Sequence, residues 1–217
     1  MPNQAILLKG EPRLNCREDP DQCDRSLEPQ EVSWYQRKPA SLALISASRV
    51  HKNAGIIDVG GGASTLVDFL LDAGYTLLAV LDPSGSALQH SQARLGFRAA
   101  AVDWFESEPA EFDPPYRFGL WHDRALFHFL MSPDERRQYL AALRRTLVPG
   151  GTAIISTLAL DGPPTCDYLD LLRHDEQTIL KELGDGFELQ EVRHETHMMP
   201  CRSELRYIYF RLRWQRG

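Results

Sequence analysis

The chain carries no apolar run long enough to cross a bilayer, no excess of positive charge, no paired-cysteine motif, no internal repeat and no low-complexity tract. Each absence excludes a class. Ala5-Ile6-Leu7-Leu8 is too short for a secretory h-region and far too short for a span, so a cytoplasmic protein without a membrane partner is expected. The formal charge of −6 argues against a chain that lies along nucleic-acid backbone, which would present a basic stripe. Cys16, Cys23, Cys166 and Cys201 show no C-x-x-C and no regular spacing, so reduced thiols are expected and a structural zinc site is not. What is present is ordinary for a globular protein: 217 residues, 43% hydrophobic and 25% charged, enough for one large domain with a sizeable core.

Residues 54–64, AGIIDVGGGAS, are the most informative stretch. Ile56, Ile57 and Val59 suit a buried parallel strand. Asp58 interrupts them just before Gly60, Gly61 and Gly62, and Ser64 is placed to cap a helix beginning at Thr65-Leu66. Strand, glycine turn and helix form the unit that lays backbone against a nucleotide-like ligand. A carboxylate before the glycines repels a pyrophosphate but attracts a cation or an amino group.

Residues 1–30 hold Pro2, Pro12, Pro20 and Pro29 and little periodicity, and read as a mobile arm; 31–217 read as one domain, with 31–50 as an N-terminal lid. A short helix is expected over Ser41–Ser48. Strands are expected at about 55–59, 76–81, 97–101, 117–122 and 152–158, with helices between most of them. That alternation implies an α/β, Rossmann-like doubly wound sheet, mostly parallel. Ser132–Thr146 is a strongly signalled helix: Ser132 as cap, Pro133 first, acids in the first turn, and Pro149-Gly150-Gly151 to stop it. Residues 187–192 and 205–214 have no helix between them and predict a C-terminal antiparallel hairpin.

Over residues 50–214 the chain resembles the class I S-adenosylmethionine-dependent methyltransferases. The resemblance rests on Asp58, Gly60 and Gly62, on Asp82 ending Leu78-Ala-Val-Leu-Asp82, on Asp103 in Val102-Asp103-Trp104, on Pro149-Gly150-Gly151 and on the terminal hairpin. It implies the seven-stranded fold of that family, S-adenosylmethionine as methyl donor, S-adenosylhomocysteine as product and no metal. By the same resemblance Asp82 accepts the ribose hydroxyls and Asp103 the adenine amine. The Trp104 amide donates to the adenine ring, Pro83 packs on its face, and Asp58 faces the ammonium. Each acid also has the plainer reading of a solvated loop carboxylate, Pro83 of a turn residue and Trp104 of a core aromatic.

Trp-His-Asp-Arg-Ala-Leu-Phe-His-Phe-Leu, residues 121–130, resembles a bacterial branch of methyltransferase domains. After the fourth strand, His122 and Asp123 are candidates for the methyl-transfer chamber, and His122 or His128 for proton removal. The alternatives are an ion pair with Arg124 or a helix cap for Asp123, and a core position for His128. Trp34, Tyr35, His128 and His197 are candidate substrate contacts. His194 and His197, three apart on extended chain, point to opposite faces and do not form a metal pair. Asp113-Pro114-Pro115-Tyr116 matches the D-P-P-Y signature of enzymes that methylate exocyclic base amines, but it precedes the fourth strand and reads as a turn. The activity implied is methyl transfer to a small-molecule acceptor. A protein-lysine methyltransferase, a non-catalytic cofactor-binding protein and a nicotinamide oxidoreductase are the rivals. Neither the acceptor nor the oligomeric state is written in the sequence.

Overall fold

Ile56 and Ile57 are adjacent in β1 (Ile56–Val59) and both fully buried, but they enter different apolar clusters on opposite faces of one sheet. A strand covered on both faces has no room for polar alternation, which is why residues 56–59 read as a near-continuous apolar run. The computed structural model describes residues 34–162, 165–166, 169–199 and 204–216. The expected arm at 1–30, Cys16, Cys23 and Cys201 lie outside them.

One face is covered by α1 (Leu42–Ala47), α2 (Leu66–Asp72) and α3 (Gly85–Leu95), through Leu44, Leu66, Leu70 and Leu88. The other is covered by α4 (Pro133–Thr146) and α5 (Glu176–Leu183), through Tyr139, Leu143 and Ile179. Each fully buried Leu or Ile contributes about 1.5–3 kcal/mol from burial alone. The strands are β2 (Leu78–Asp82), β3 (Val102–Glu106), β4 (Phe118–Arg124) and β5 (Leu147–Ala159). Short pieces β6 (Thr165–Cys166), β7 (Leu169–Asp170) and β8 (Arg173–His174) precede β9 (Phe187–Met198) and β10 (Glu204–Trp214). Their order is β3-β2-β1-β4-β5-β10-β9, with β8 added parallel at the end of β5 and β6-β7 a separate pair. β1 to β5 are parallel, and β10 is antiparallel to both β5 and β9, as the terminal hairpin predicts. The chain reverses its winding between β1 and β4, and ligands of doubly wound sheets sit at that switch point.

Several boundaries differ from the expectation. Residues 97–101, expected as the third strand, lie in a 3-10 segment, Gly96–Ala101, and the strand begins at Val102. Three consecutive alanines have little to pack on a pleated face, whereas Val-Asp-Trp-Phe-Glu does. Pro149-Gly150-Gly151 does not stop α4, which ends at Thr146; Gly150, at φ +73°, bends β5 where its register with β4 slips. Thr65, not Ser64, occupies the α2 cap position, although Ser64 Oγ does accept from the Leu66 amide at 3.1 Å. The α4 cap is as expected: Ser132 Oγ accepts at its first turn and the Glu135 carboxylate accepts from the Ser132 amide.

Asp113-Pro114-Pro115-Tyr116 lies in the loop before β4, at the amino edge of the sheet, while the glycine turn lies at the carboxyl edge. Asp113 is exposed there. Asp113→Ala should therefore leave the melting temperature nearly unchanged, as for a surface change below about 0.5 kcal/mol. A fall of many degrees in a thermal unfolding scan would contradict this placement.

Candidate functional site

Parallel register decides which side chains meet. Asp58 of β1 lies opposite His122 of β4, on the same face of adjacent strands. Their side chains join: His122 Nδ1 is 2.6 Å from Asp58 Oδ1, with both residues buried. A carboxylate can only accept, so Nδ1 carries the proton and Nε2 is left facing the other way. His122 Nε2 is buried and has no hydrogen-bond partner.

Two residues on, the same alternation puts Arg124 on the face of His122. Its Nε donates to the Tyr209 hydroxyl at 2.9 Å and its Nη1 to the Trp34 carbonyl at 2.7 Å. Arg124, Ser156 and Tyr209 lie in register across β4, β5 and β10, and the small side chain of Ser156 lets the guanidinium reach over. Arg124 Nη2 is buried without a hydrogen bond, 4.0 Å from Glu195. Glu195 accepts from the Tyr209 hydroxyl and the Gln36 amide. Thr65 Oγ1 donates to the Gln36 carbonyl at 3.0 Å. Residues 34–39 are thus tied to α2, β4 and β9 and roof a cavity of about 20 Å³ lined by Trp34, Gln36, Pro39, Ser64, Thr65, His122 and Arg124. That is room for about one water.

Asp123 points the other way, as alternation on β4 requires. It is fully buried on the α4 side and accepts from the Leu126 amide at 2.9 Å, the Phe127 amide at 3.1 Å and the Tyr139 hydroxyl at 2.6 Å. Burial pushes its carboxyl up to about 6 against those hydrogen bonds and the nearby His122, which pull it down. The expectation that it lines the chamber beside His122 is corrected: it holds the loop that turns through Ala125, at φ +73°.

At the glycine turn, Gly60 and Gly61 both donate to the Leu81 carbonyl, at 2.8 and 3.3 Å, closing β1 against β2. Gly60 has φ +66° and Gly62 φ +33°, and a Cβ at Gly62 would stand 2.9 Å from Asp82 Oδ2. Only glycine keeps this backbone against the Asp82 carboxylate. Asp82 Oδ1 accepts from the Ser84 amide at 2.9 Å, and Pro83 follows at the same edge, half-buried. Asp103 is not there. With β3 starting at Val102, Asp103 lies opposite Ala79, three residues short of Asp82, and accepts from the Tyr116 hydroxyl. Trp104 is opposite Val80, its indole donating to the Ala99 carbonyl at 3.0 Å. The acid opposite Asp82 is Glu106, whose carboxylate abuts Gly85 at the start of α3.

The substrate candidates fall into two groups. Trp34 lines the cavity, with its neighbour Tyr35 half-buried. His128 and His197, distant in sequence, converge on Tyr207, with ring centroids 6.3 and 6.0 Å from it and the Arg124 guanidinium 4.8 Å above it. Burial, then the charges of His174 and Arg124, lower His128 to about 3. Glu195 and Tyr207 also border a second cleft of about 280 Å³, with Asp161, His194, Thr196 and Arg206. His194 is exposed and His197 buried, on opposite faces of β9. Among the described residues no cluster of His, Cys, Asp or Glu could hold a metal ion, and no helix is long and apolar enough to cross a membrane. Arg124, Gln36, Glu106, Glu195 and Tyr209 were not singled out from sequence. Arg124 had a signal: it shares the face of His122 by period 2.

Residues 57–153 match the family model described as a methyltransferase domain. The protein solved for the conversion of a disulfide bond into a thioacetal group during echinomycin biosynthesis has a TM-score of 0.74 at 18% identity, over 93% of this chain and 92% of its own. The 1,6-didemethyltoxoflavin-N1-methyltransferase of Burkholderia thailandensis, bound to 1,6-didemethyltoxoflavin and S-adenosylhomocysteine, has a TM-score of 0.62 at 21% identity, over 82% of this chain and 80% of its own. The N-methyltransferase NodS from Bradyrhizobium japonicum WM9, in complex with S-adenosylhomocysteine, has 0.60 at 16% identity, over 75% and 79%. At such identities the likeness is one of fold. No curated protein matches the sequence.

Proposed function

We propose that the chain transfers the methyl group of S-adenosylmethionine to a small-molecule acceptor. The observation that carries this reading is the glycine turn packed against Asp82 at the switch point, with Asp58 behind it and no room for a Cβ at Gly60 or Gly62. The donor supplies a methyl already activated by its sulfonium, so the protein's work is alignment and exclusion of water. Asp82 accepts the ribose hydroxyls, a charge-assisted pairing suited to a diol and repulsive to a phosphate. Glu106, next to Asp82 at the carboxyl edge, takes the adenine role that the resemblance assigns to Asp103. Residues 34–39 must swing outward to admit the methionine portion, since the cavity they roof is smaller than that group. Closure afterwards keeps bulk water from the reacting atoms. The cleft beside Tyr207 has the volume of a small acceptor, and its Glu195 accepts from the amide of Gln36, which lines the roofed cavity.

Calorimetry with S-adenosylhomocysteine should show binding, and Asp82→Ala should weaken it by about 1.5–3 kcal/mol, the range for hydrogen bonds to a charged group. Binding of a nicotinamide dinucleotide with none of S-adenosylhomocysteine would overturn the assignment. Labelled methyl donor incubated with lysate, then split into protein and small-molecule fractions, should put the label in the small molecules. Label in protein would favour a lysine acceptor.

A further inference from the structure

We infer that the protein pairs with a second copy of itself through the outer edge of β9, in one continuous antiparallel sheet whose two-fold axis passes through His194. Among the described residues β9 is the last strand of the sheet and pairs with β10 alone. It is twelve residues long and contains neither proline nor lysine, two of the devices that keep an open edge from pairing. A third device, a bulge, is present at Gln190. Leu189 lies opposite Leu212 and Glu191 opposite Arg211, so Gln190 is left over between them. The bulge interrupts the strand near its start and leaves residues 191–198 as a regular edge.

The two-fold axis of an antiparallel strand pair runs perpendicular to the sheet. It must place one residue opposite itself, because neighbours along a strand face opposite sides. Within residues 191–198 two such registers keep seven pairs. One is centred on Glu195 and sets that carboxylate against its own copy. The other is centred on His194 and matches unlike groups on either side of it. Arg193 then lies opposite the partner's Glu195, Val192 opposite the partner's Thr196 and Glu191 opposite the partner's His197, each twice by symmetry. Opposite charges across a strand pair attract and like charges repel, so the His194 register is favoured. Glu195 is held in place by the Tyr209 hydroxyl and the Gln36 amide, which fixes its charge beside the edge. Arg193 can turn to meet it. Its side chain is 40% exposed, and the Glu191 carboxylate that it binds at 2.7 Å also holds Arg211 at 3.1 Å. Turning Arg193 outward therefore leaves Glu191 paired. His194 and Thr196 are exposed, and seven pairs supply about six to eight main-chain hydrogen bonds. The cleft lined by His194, Glu195 and Thr196 lies at this contact, so the partner's strand would border it.

Sedimentation velocity of the full chain at rising concentration should show monomer giving way to dimer. His194→Lys and His194→Asp each put like charges on the axis and should weaken the dimer about tenfold or more, while an equimolar mixture of the two restores it. His194→Cys should cross-link to its own copy under mild oxidation, beyond whatever the native cysteines give in the unsubstituted chain. Thr196→Cys should not, because in this register it stands four residues along the strand from its own copy, about 13 Å, past the reach of a disulfide. Both positions are exposed, and circular dichroism checks that each variant folds like the parent. A chain that stays monomeric at every concentration, a dimer indifferent to both charge variants, or equal cross-linking through the two cysteines would overturn the pairing. None of these measurements involves the methyl donor, so the proposed activity is tested separately.

Discussion

Asp123→Ala is expected to lower the unfolding free energy by about 2–4 kcal/mol, the balance of two opposed effects. Removing the carboxylate strands the Leu126 and Phe127 amides and the Tyr139 hydroxyl, at about 1–3 kcal/mol each when buried. Against this, the folded protein no longer holds a buried charge: raising the carboxyl from 3.8 to about 6 costs roughly 3 kcal/mol at neutral pH. The loss wins because three donors are left rather than one. The Trp121 indole, which donates to the same Tyr139 hydroxyl at 2.9 Å, loses its anchor as well. In a chain of this length the melting temperature should fall by roughly 6–12 °C. Asp123→Asn keeps an acceptor oxygen and should lose less than half as much. A wild-type melting curve for the alanine variant would show that the loop through Ala125 is held by other means.

Acid should destabilise the protein between pH 6.5 and 4 through two buried neutral histidines. Burial is the main cause for both: His128 is lowered to about 3, and His174 to about 4, from 6.5. The ring of each has an unpartnered buried Nδ1. Between 6.5 and those values the unfolded chain binds protons that the folded chain does not, so stability falls as pH falls, by about 1.4 kcal/mol per pH unit for each histidine. Asp123 works in the opposite sense. Its folded value near 6 exceeds 3.8, so between these the folded state binds the extra proton and gains stability on acidification. From pH 6 to 4 the net effect of the three groups is that of one histidine, a loss of about 3 kcal/mol. Urea unfolding at pH 7, 6, 5 and 4 measures it. His128→Leu, which removes one titrating ring from an apolar setting, should flatten the dependence by one proton. Equal slopes for both proteins would mean that His128 titrates normally in the folded state.

Some of the site was legible in the amino-acid order alone, because it depends on neighbours along the chain. A carboxylate before three glycines, between an apolar run and a helix, defines the turn and what it repels whatever packs around it. Asp82 was placed by the same means, at the end of a strand whose apolar residues precede it. The reading of Asp113-Pro114-Pro115-Tyr116 as a turn needed only its position before the fourth strand. Asp103 was lost because its place depended on where β3 begins, and Ala99-Ala100-Ala101 form a 3-10 turn where a strand was expected.

Register and side-chain direction belong to the tertiary structure. His122 and Asp123 are equal candidates in a linear reading, yet one enters the cavity and the other is fixed against Tyr139 on the far face. The partner of Asp58 is 64 residues away, and that of Arg124 is 85 away on an antiparallel strand. Local propensity can say that a strand exists and where a carboxylate ends it. Which strands lie beside it, in what register and on which face, is settled by burying two apolar surfaces at once, and that choice involves the whole chain.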